Sequence, residues 1–175
     1  LNALRPEIEN GTPLIGLEPS CTASFRDELV EMYPDRTNAQ RLSRQTFTLA
    51  EFLDQEVDEY RPPRLKGRAL VHGHCHHKSI MGLPPDKKLL EQTGLEIEMI
   101  TSSCCGMAGS FGFEEEHYDI SQQIGEQNLL PAVREAANDT LIVASGFSCR
   151  EQIAQATNRR AVHLAEILAI PLPQN

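Results

Sequence analysis

No run of apolar residues in this 175-residue chain approaches the roughly 20 that a membrane helix needs. No cluster of Lys and Arg stands out, and the formal net charge of −9 disfavours nucleic acid as a partner. No signal-peptide pattern opens the chain, and neither a dinucleotide fingerprint nor a flavin site is discernible. No Cys-x-x-Cys knuckle occurs, although there are five cysteines. Their number is odd and two are adjacent, which argues against a secreted disulfide framework and for reduced thiols in a cytoplasmic protein. The first residue is Leu rather than Met, so the chain reads as a piece of something longer. What remains is a globular chain, 40% hydrophobic and long enough for a real core.

What is present centres on one stretch, Ser102-Ser103-Cys104-Cys105-Gly106-Met107-Ala108-Gly109-Ser110-Phe111-Gly112. A thiol pair that only fills a core needs no run of glycines. A bulky ligand held against the backbone does, because glycine lacks the Cβ that blocks close approach. Residues 96–100 alternate like a strand, and a helix is expected over 115–128, so the cysteine pair falls on a strand-to-helix turn. Other strands are expected at 13–17, 69–75 and 140–144, with an edge strand at 161–164. Helices are expected over 23–30, over 38–60 as one long element, over 85–92, and after Cys149. The alternation predicts an α/β fold of three layers, a mainly parallel sheet with helices on both faces. Each cysteine follows a strand. In a parallel sheet the carboxyl ends share one edge, which is where α/β folds bind ligands. A faint repeat links residues 14–21 with 141–149: an apolar strand, a turn, Ser-Cys, then a helix.

Five thiols interspersed with histidines suggest a soft-metal site. Adjacent cysteines chelate one ion only with strain, yet they can ligate two irons of one cluster. The turn around Gly106 and Gly109 would then aim backbone N–H groups at cluster sulfides, and a helix start near Glu114 would add a favourable dipole. His72-Gly73-His74-Cys75-His76-His77-Lys78 is the second concentration of donors. Its histidines, His74 and His76 among them, are ligands, donors to sulfide, or part of a partner surface. His117 and His163 read as structural. Cys21 reads equally as a ligand or as a buried filler. The glycine run could instead cradle a phosphate, but no Lys or Ser/Thr follows in P-loop register. A zinc site with Cys and His ligands, structural or binding, is the alternative from a different class.

Four strings together resemble the cysteine-rich CCG domain: Gly-Leu-Glu-Pro-Ser-Cys (16–21), His-Gly-His-Cys-His (72–76), Cys-Cys-Gly-Met-Ala-Gly-Ser-Phe-Gly (104–112) and Gly-Phe-Ser-Cys-Arg-Glu-Gln-Ile (146–153). That domain is found in heterodisulfide reductases, in the iron–sulfur subunits of glycolate oxidase and anaerobic glycerol-3-phosphate dehydrogenase, and in lactate-utilisation proteins. The strings are most similar to the C-terminal region of FAD-linked oxidases of the D-2-hydroxyglutarate and D-lactate dehydrogenase type. The resemblance implies an iron–sulfur electron-transfer region, [4Fe–4S] in type, that is not catalytic alone. It would receive electrons from a flavin domain and a ferredoxin-like segment of the same polypeptide and pass them to a downstream acceptor. It implies Cys75, Cys104, Cys105 and Cys149 as ligands, with Cys21 a candidate fifth. Gly146 stands where fuller motifs carry another cysteine. The expected organisation is one CCG-type domain over 1–175, with 64–175 the complete unit and 1–35 belonging to a preceding repeat. The expected location is cytoplasmic, peripheral at the inner membrane face in the full-length protein.

Overall fold

The computed structural model describes residues 1–100 and 104–170, so Ser102 and Ser103 lie outside the described residues. The chain divides into two compact units, one of residues 1–60 with 76–85, the other of residues 61–75 with 86–175.

The first unit runs α1 (Arg5–Asn10), β1 (Leu14–Gly16), α2 (Pro19–Ala23), a π turn over Ser24–Glu28, α3 (Leu29–Met32), α4 (Thr37–Gln45), β2 (Thr46–Thr48) and α5 (Leu49–Gln55). The expected single helix over 38–60 is therefore two helices with a strand between them. The reason is local. Thr46 and Thr48 are β-branched and buried, which suits a strand, and β2 pairs in parallel with β1. Thr48 then caps α5. Its hydroxyl accepts the Glu51 N–H at 3.2 Å, while the Glu51 carboxylate accepts the Thr48 N–H at 2.8 Å. Arg26 pins the same carboxylate at 2.8 Å.

The second unit carries β3 (Arg68–His72), α6 (Pro84–Gln92), β4 (Glu96–Met99), α7 (Tyr118–Gly125), α8 (Leu129–Glu135), β5 (Leu141–Ala144), α9 (Phe147–Ala156), β6 (Ala161–Val162) and α10 (Leu164–Leu168). Its four strands lie in the order β4-β3-β5-β6, all parallel. The α/β architecture anticipated from the sequence is the one observed. Ala69, Leu70 and Val71, and Ile142, Val143 and Ala144, are all buried, as the inner strands of a covered parallel sheet require. His72 lies opposite Ala144 and Val71 opposite Met99, so three strands end on one edge.

Between Cys105 and α7 the chain makes two short 3-10 turns, Phe111–Phe113 and Glu115–His117, before the helix begins at Tyr118. The expected helix start near Glu114 is thus displaced. His117 Nδ1 lies 2.8 Å from the Glu114 carboxylate, and its ring stacks on Phe111 with centroids 4.1 Å apart, which holds this stretch in tight turns. His163 caps α10, its Nδ1 accepting the Ala165 N–H at 2.9 Å. Among the described residues no helix is long and apolar enough to cross a membrane.

Candidate metal centre

The carboxyl edge of the second unit's sheet collects the donors. β3 delivers His72, then His74 and Cys75. The turn after β4 delivers Cys104 and Cys105. β5 delivers Gly146 and the first turn of α9, whose third residue is Cys149. Arg150 fastens that turn, donating to the Ala144 and Ser145 carbonyls at 3.2 and 2.7 Å. Cys149 sits in the first turn of a ten-residue helix.

Cys105 and Cys149 belong to the hydrophobic core, packed with Leu70, Met107, Leu130 and Ile153. The apolar-filler reading therefore describes part of their role. They also interact with one another. The Cys104 thiol is within electrostatic reach of Cys105, and Cys105 of Cys149. Thiols from two separate strand ends thus meet as a contiguous trio. The interaction with Cys105, followed by burial, pushes the Cys104 thiol well above its ordinary range, against the pull of the Gly106 N–H. For Cys105 the interaction with Cys104 pulls down, but the interaction with Cys149, burial and the Cys149 charge outweigh it, leaving the thiol pushed up to about 11. Both shifts mean that the fold holds these protons more firmly than the unfolded chain does. The stabilisation is complete below the ordinary thiol value of 9.0 and is lost as pH rises through about 11. The melting temperature of metal-free protein should accordingly fall across that window. A flat profile there would show that the trio does not form.

The glycine run serves the turn. Gly106 has φ +95°, and a Cβ there would lie within 2.1 Å of the Ser121 carbonyl oxygen on α7. A Cβ on Gly112 would meet the Ser121 hydroxyl at 2.6 Å and Met107 sulfur at 2.7 Å. These residues are bare because α7 lies against them. Gly109 has φ +69° with nothing within 4 Å of a Cβ, so only its conformation calls for glycine. Ala108 also adopts a positive φ, +42°, which concentrates strain beside the thiols. Folded this way, the turn directs the Gly106 N–H at Cys104 Sγ, 3.3 Å away, and the Met107 N–H at Cys105. Such donors stabilise anionic sulfur.

One supporting element was not foreseen in the sequence. Gln152, on α9 and wholly buried, donates to the carbonyl and hydroxyl oxygens of Ser121 at 3.2 and 3.3 Å. Its own carbonyl accepts from Gln122 at 3.2 Å. The helix that carries Cys149 is thereby clasped to the helix on which the Cys104-Cys105 turn leans. Gln152→Leu should cost about 1–3 kcal/mol in chemical unfolding, because it leaves the Ser121 groups buried without this donor. An unchanged midpoint would show that the clasp is incidental.

His74, 7% exposed, places Nδ1 4.0 Å from Cys75 Sγ. His72, also buried, lies near enough to Cys104 for its charge to favour the thiolate. Cys21 and His76 belong to the first unit, where Cys21 is exposed on α2. Cys21 nonetheless occupies the third position of a helix that follows a parallel strand, as Cys149 does. Among the described residues no group of three or more His, Cys, Asp or Glu side chains is set to hold a single metal ion. What is present is three neighbouring thiols, with the Gly106 N–H donating to Cys104 Sγ. This donor set suits a thiolate-seeking group with several bonding centres better than one tetrahedral ion.

A parallel sheet that gathers thiols at its carboxyl edge, with a Cys-Cys-Gly turn leaning on the following helix, defines a cysteine-rich α/β domain. Residues 70–154 match the family profile described as "Cysteine-rich domain", CCG, as the motifs indicated. The chain is 33% identical over 165 residues to a subunit of the anaerobic glycerol-3-phosphate dehydrogenase of Escherichia coli (strain K12), a match that covers 91% of this chain and 40% of the relative. It is 27% identical over 169 residues to D-2-hydroxyglutarate dehydrogenase of Pseudomonas putida, covering 94% of this chain and 16% of the relative. It is 30% identical over 162 residues to lactate utilization protein A of Geobacillus kaustophilus, covering 85% and 66%. The chain thus spans less than half the length of the first two. No solved structure matches significantly.

Proposed function

We propose that this chain is the iron–sulfur electron-transfer region of an FAD-linked oxidoreductase that oxidises a 2-hydroxy acid. The single observation behind this reading is the trio of Cys104, Cys105 and Cys149, brought from two strand ends close enough to shift one another's titration. Cys75 is the fourth proposed ligand, on the adjoining strand end. Gly106, Gly109 and His74 lie around the proposed cofactor. When bound, a [4Fe–4S] cluster would relay electrons one at a time from a flavin elsewhere in the polypeptide to a downstream acceptor. This chain's residues hold and insulate that relay. The core around Cys105 and Cys149 excludes water, and the N–H groups of Gly106 and Met107 offset negative charge on sulfur. The substrate class follows the names of the relatives, since D-2-hydroxyglutarate and lactate are both 2-hydroxy acids. A ferredoxin-like segment and the flavin domain are the proposed intramolecular partners, and the cytoplasm, at the inner membrane face, is the proposed location.

Metal and sulfide analysis of the intact protein, purified without oxygen, tests the reading. Iron and acid-labile sulfide in comparable amounts, with visible absorption that bleaches on reduction, is the expected result. Zinc at one per chain with neither iron nor sulfide would replace it by the structural-zinc alternative.

A further inference from the structure

We propose that His74 supplies an imidazole nitrogen to the cofactor of this site, and that Gly146 is the seat that admits its ring. The inference deepens the iron–sulfur reading and rests on it.

Gly146 is a glycine that its backbone does not require. Gly146 has φ −72° and ψ 131°, a conformation open to any residue. Its bareness has another cause. A Cβ at 146 would lie 2.5 Å from His74 Cδ2 and 3.2 Å from His74 Cγ, inside any tolerable contact. The imidazole therefore rests directly against the Gly146 backbone. The same Cβ position is 3.2 Å from Cys149 Sγ, so ring and sulfur look onto one point.

Nδ1 of the same ring lies 4.0 Å from Cys75 Sγ. The ring edge turned toward Gly146 is the carbon edge, Cγ–Cδ2. The imidazole thus lies between the thiol that follows β3, which its Nδ1 approaches, and the Gly146 backbone beside the thiol on α9. It is buried at 7% exposure, in the same compact unit as Cys75, Cys104, Cys105 and Cys149. A purely apolar filler here would use Leu or Phe, and a histidine packing for shape alone would not need a side chain deleted opposite it. Imidazole is a competent ligand for iron, and as a neutral donor in place of thiolate it raises the potential of an iron–sulfur centre.

Pulsed EPR on the intact protein, loaded without oxygen and poised in its paramagnetic state, tests this directly. Protein grown with 14N-histidine and with 15N-histidine should show a strongly coupled nitrogen whose signal changes with the label. His74→Gln should retain iron and lose that coupling, and His74→Cys should lower the reduction potential. Gly146→Ala leaves His74 in place but fills its seat, and should weaken the same coupling; this variant and the labelled wild type decide the matter if His74→Gln fails to fold. A loaded wild type without histidine nitrogen coupling, or a coupling that persists in His74→Gln, overturns the role of His74 and leaves the iron–sulfur reading standing. Protein that takes up no iron overturns both.

Discussion

Cys104→Ser or Cys105→Ser should each remove the iron, the visible absorption and the EPR signal of the intact protein. The two residues are adjacent but differently placed. Cys105 is in the core and bridges Cys104 to Cys149, whereas Cys104 is half-buried and takes the Gly106 N–H. A serine oxygen is a harder and less acidic donor than sulfur, so a soft metal loses most of its preference for the site. The loss should appear as at least a tenfold fall in iron content, with the fold retained, because serine is close to cysteine in size. Cys21→Ser, on the first unit, is the natural comparison, and its iron content reports whether that thiol takes part. Unchanged spectra in both Cys104→Ser and Cys105→Ser would remove these residues from the ligand set.

Gly106→Ala should be among the most damaging single changes in the chain. Two costs combine. An alanine at φ +95° pays about 1–2 kcal/mol for the left-handed conformation. Its Cβ would also overlap the Ser121 carbonyl oxygen, which is backbone and cannot swing aside, so α7 must move, at a further ~1–3 kcal/mol. The sum, about 2–5 kcal/mol, is a large fraction of the roughly 5–15 kcal/mol that holds a domain folded. Gly109→Ala separates the two costs. It has a similar backbone at φ +69° but open space around its Cβ, so it should cost about 1–2 kcal/mol at most. Equal midpoints for the two variants in urea unfolding would show that α7 does not press on the turn.

The alternation of strands and helices was legible because the inner strands are buried on both faces and read as unbroken apolar runs, as at Leu70 and Ile142. The edge that collects the cysteines was legible for the same reason, since parallel strands end together. β2 was not legible. Its three residues, Thr46–Thr48, interrupt a helical pattern too briefly to alter the periodicity, and only pairing with β1 reveals them. The late start of α7 was hidden because Glu114, Glu115 and Glu116 look like a favourable first turn, while the stacking of His117 on Phe111 is a tertiary event. Gln152 and Ser121 were missed because amide and hydroxyl side chains on helices ordinarily face water. Their burial depends on how α9 meets α7. The glycine run was read as room for a ligand, and the neighbour that needs that room at Gly106 and Gly112 is Ser121.

The strand order also has a consequence for biogenesis. β3 pairs with β4 on one side and with β5 on the other, and the second pairing joins residues 69–72 to residues 141–144. On a ribosome the β3-α6-β4 segment emerges first, and contacts this remote in sequence are slow to form. The vicinal thiols are therefore synthesised well before Cys149 can reach them. Insertion of the proposed cluster would wait for β5 to dock, and a chain halted short of that point would leave the vicinal thiols without Cys149.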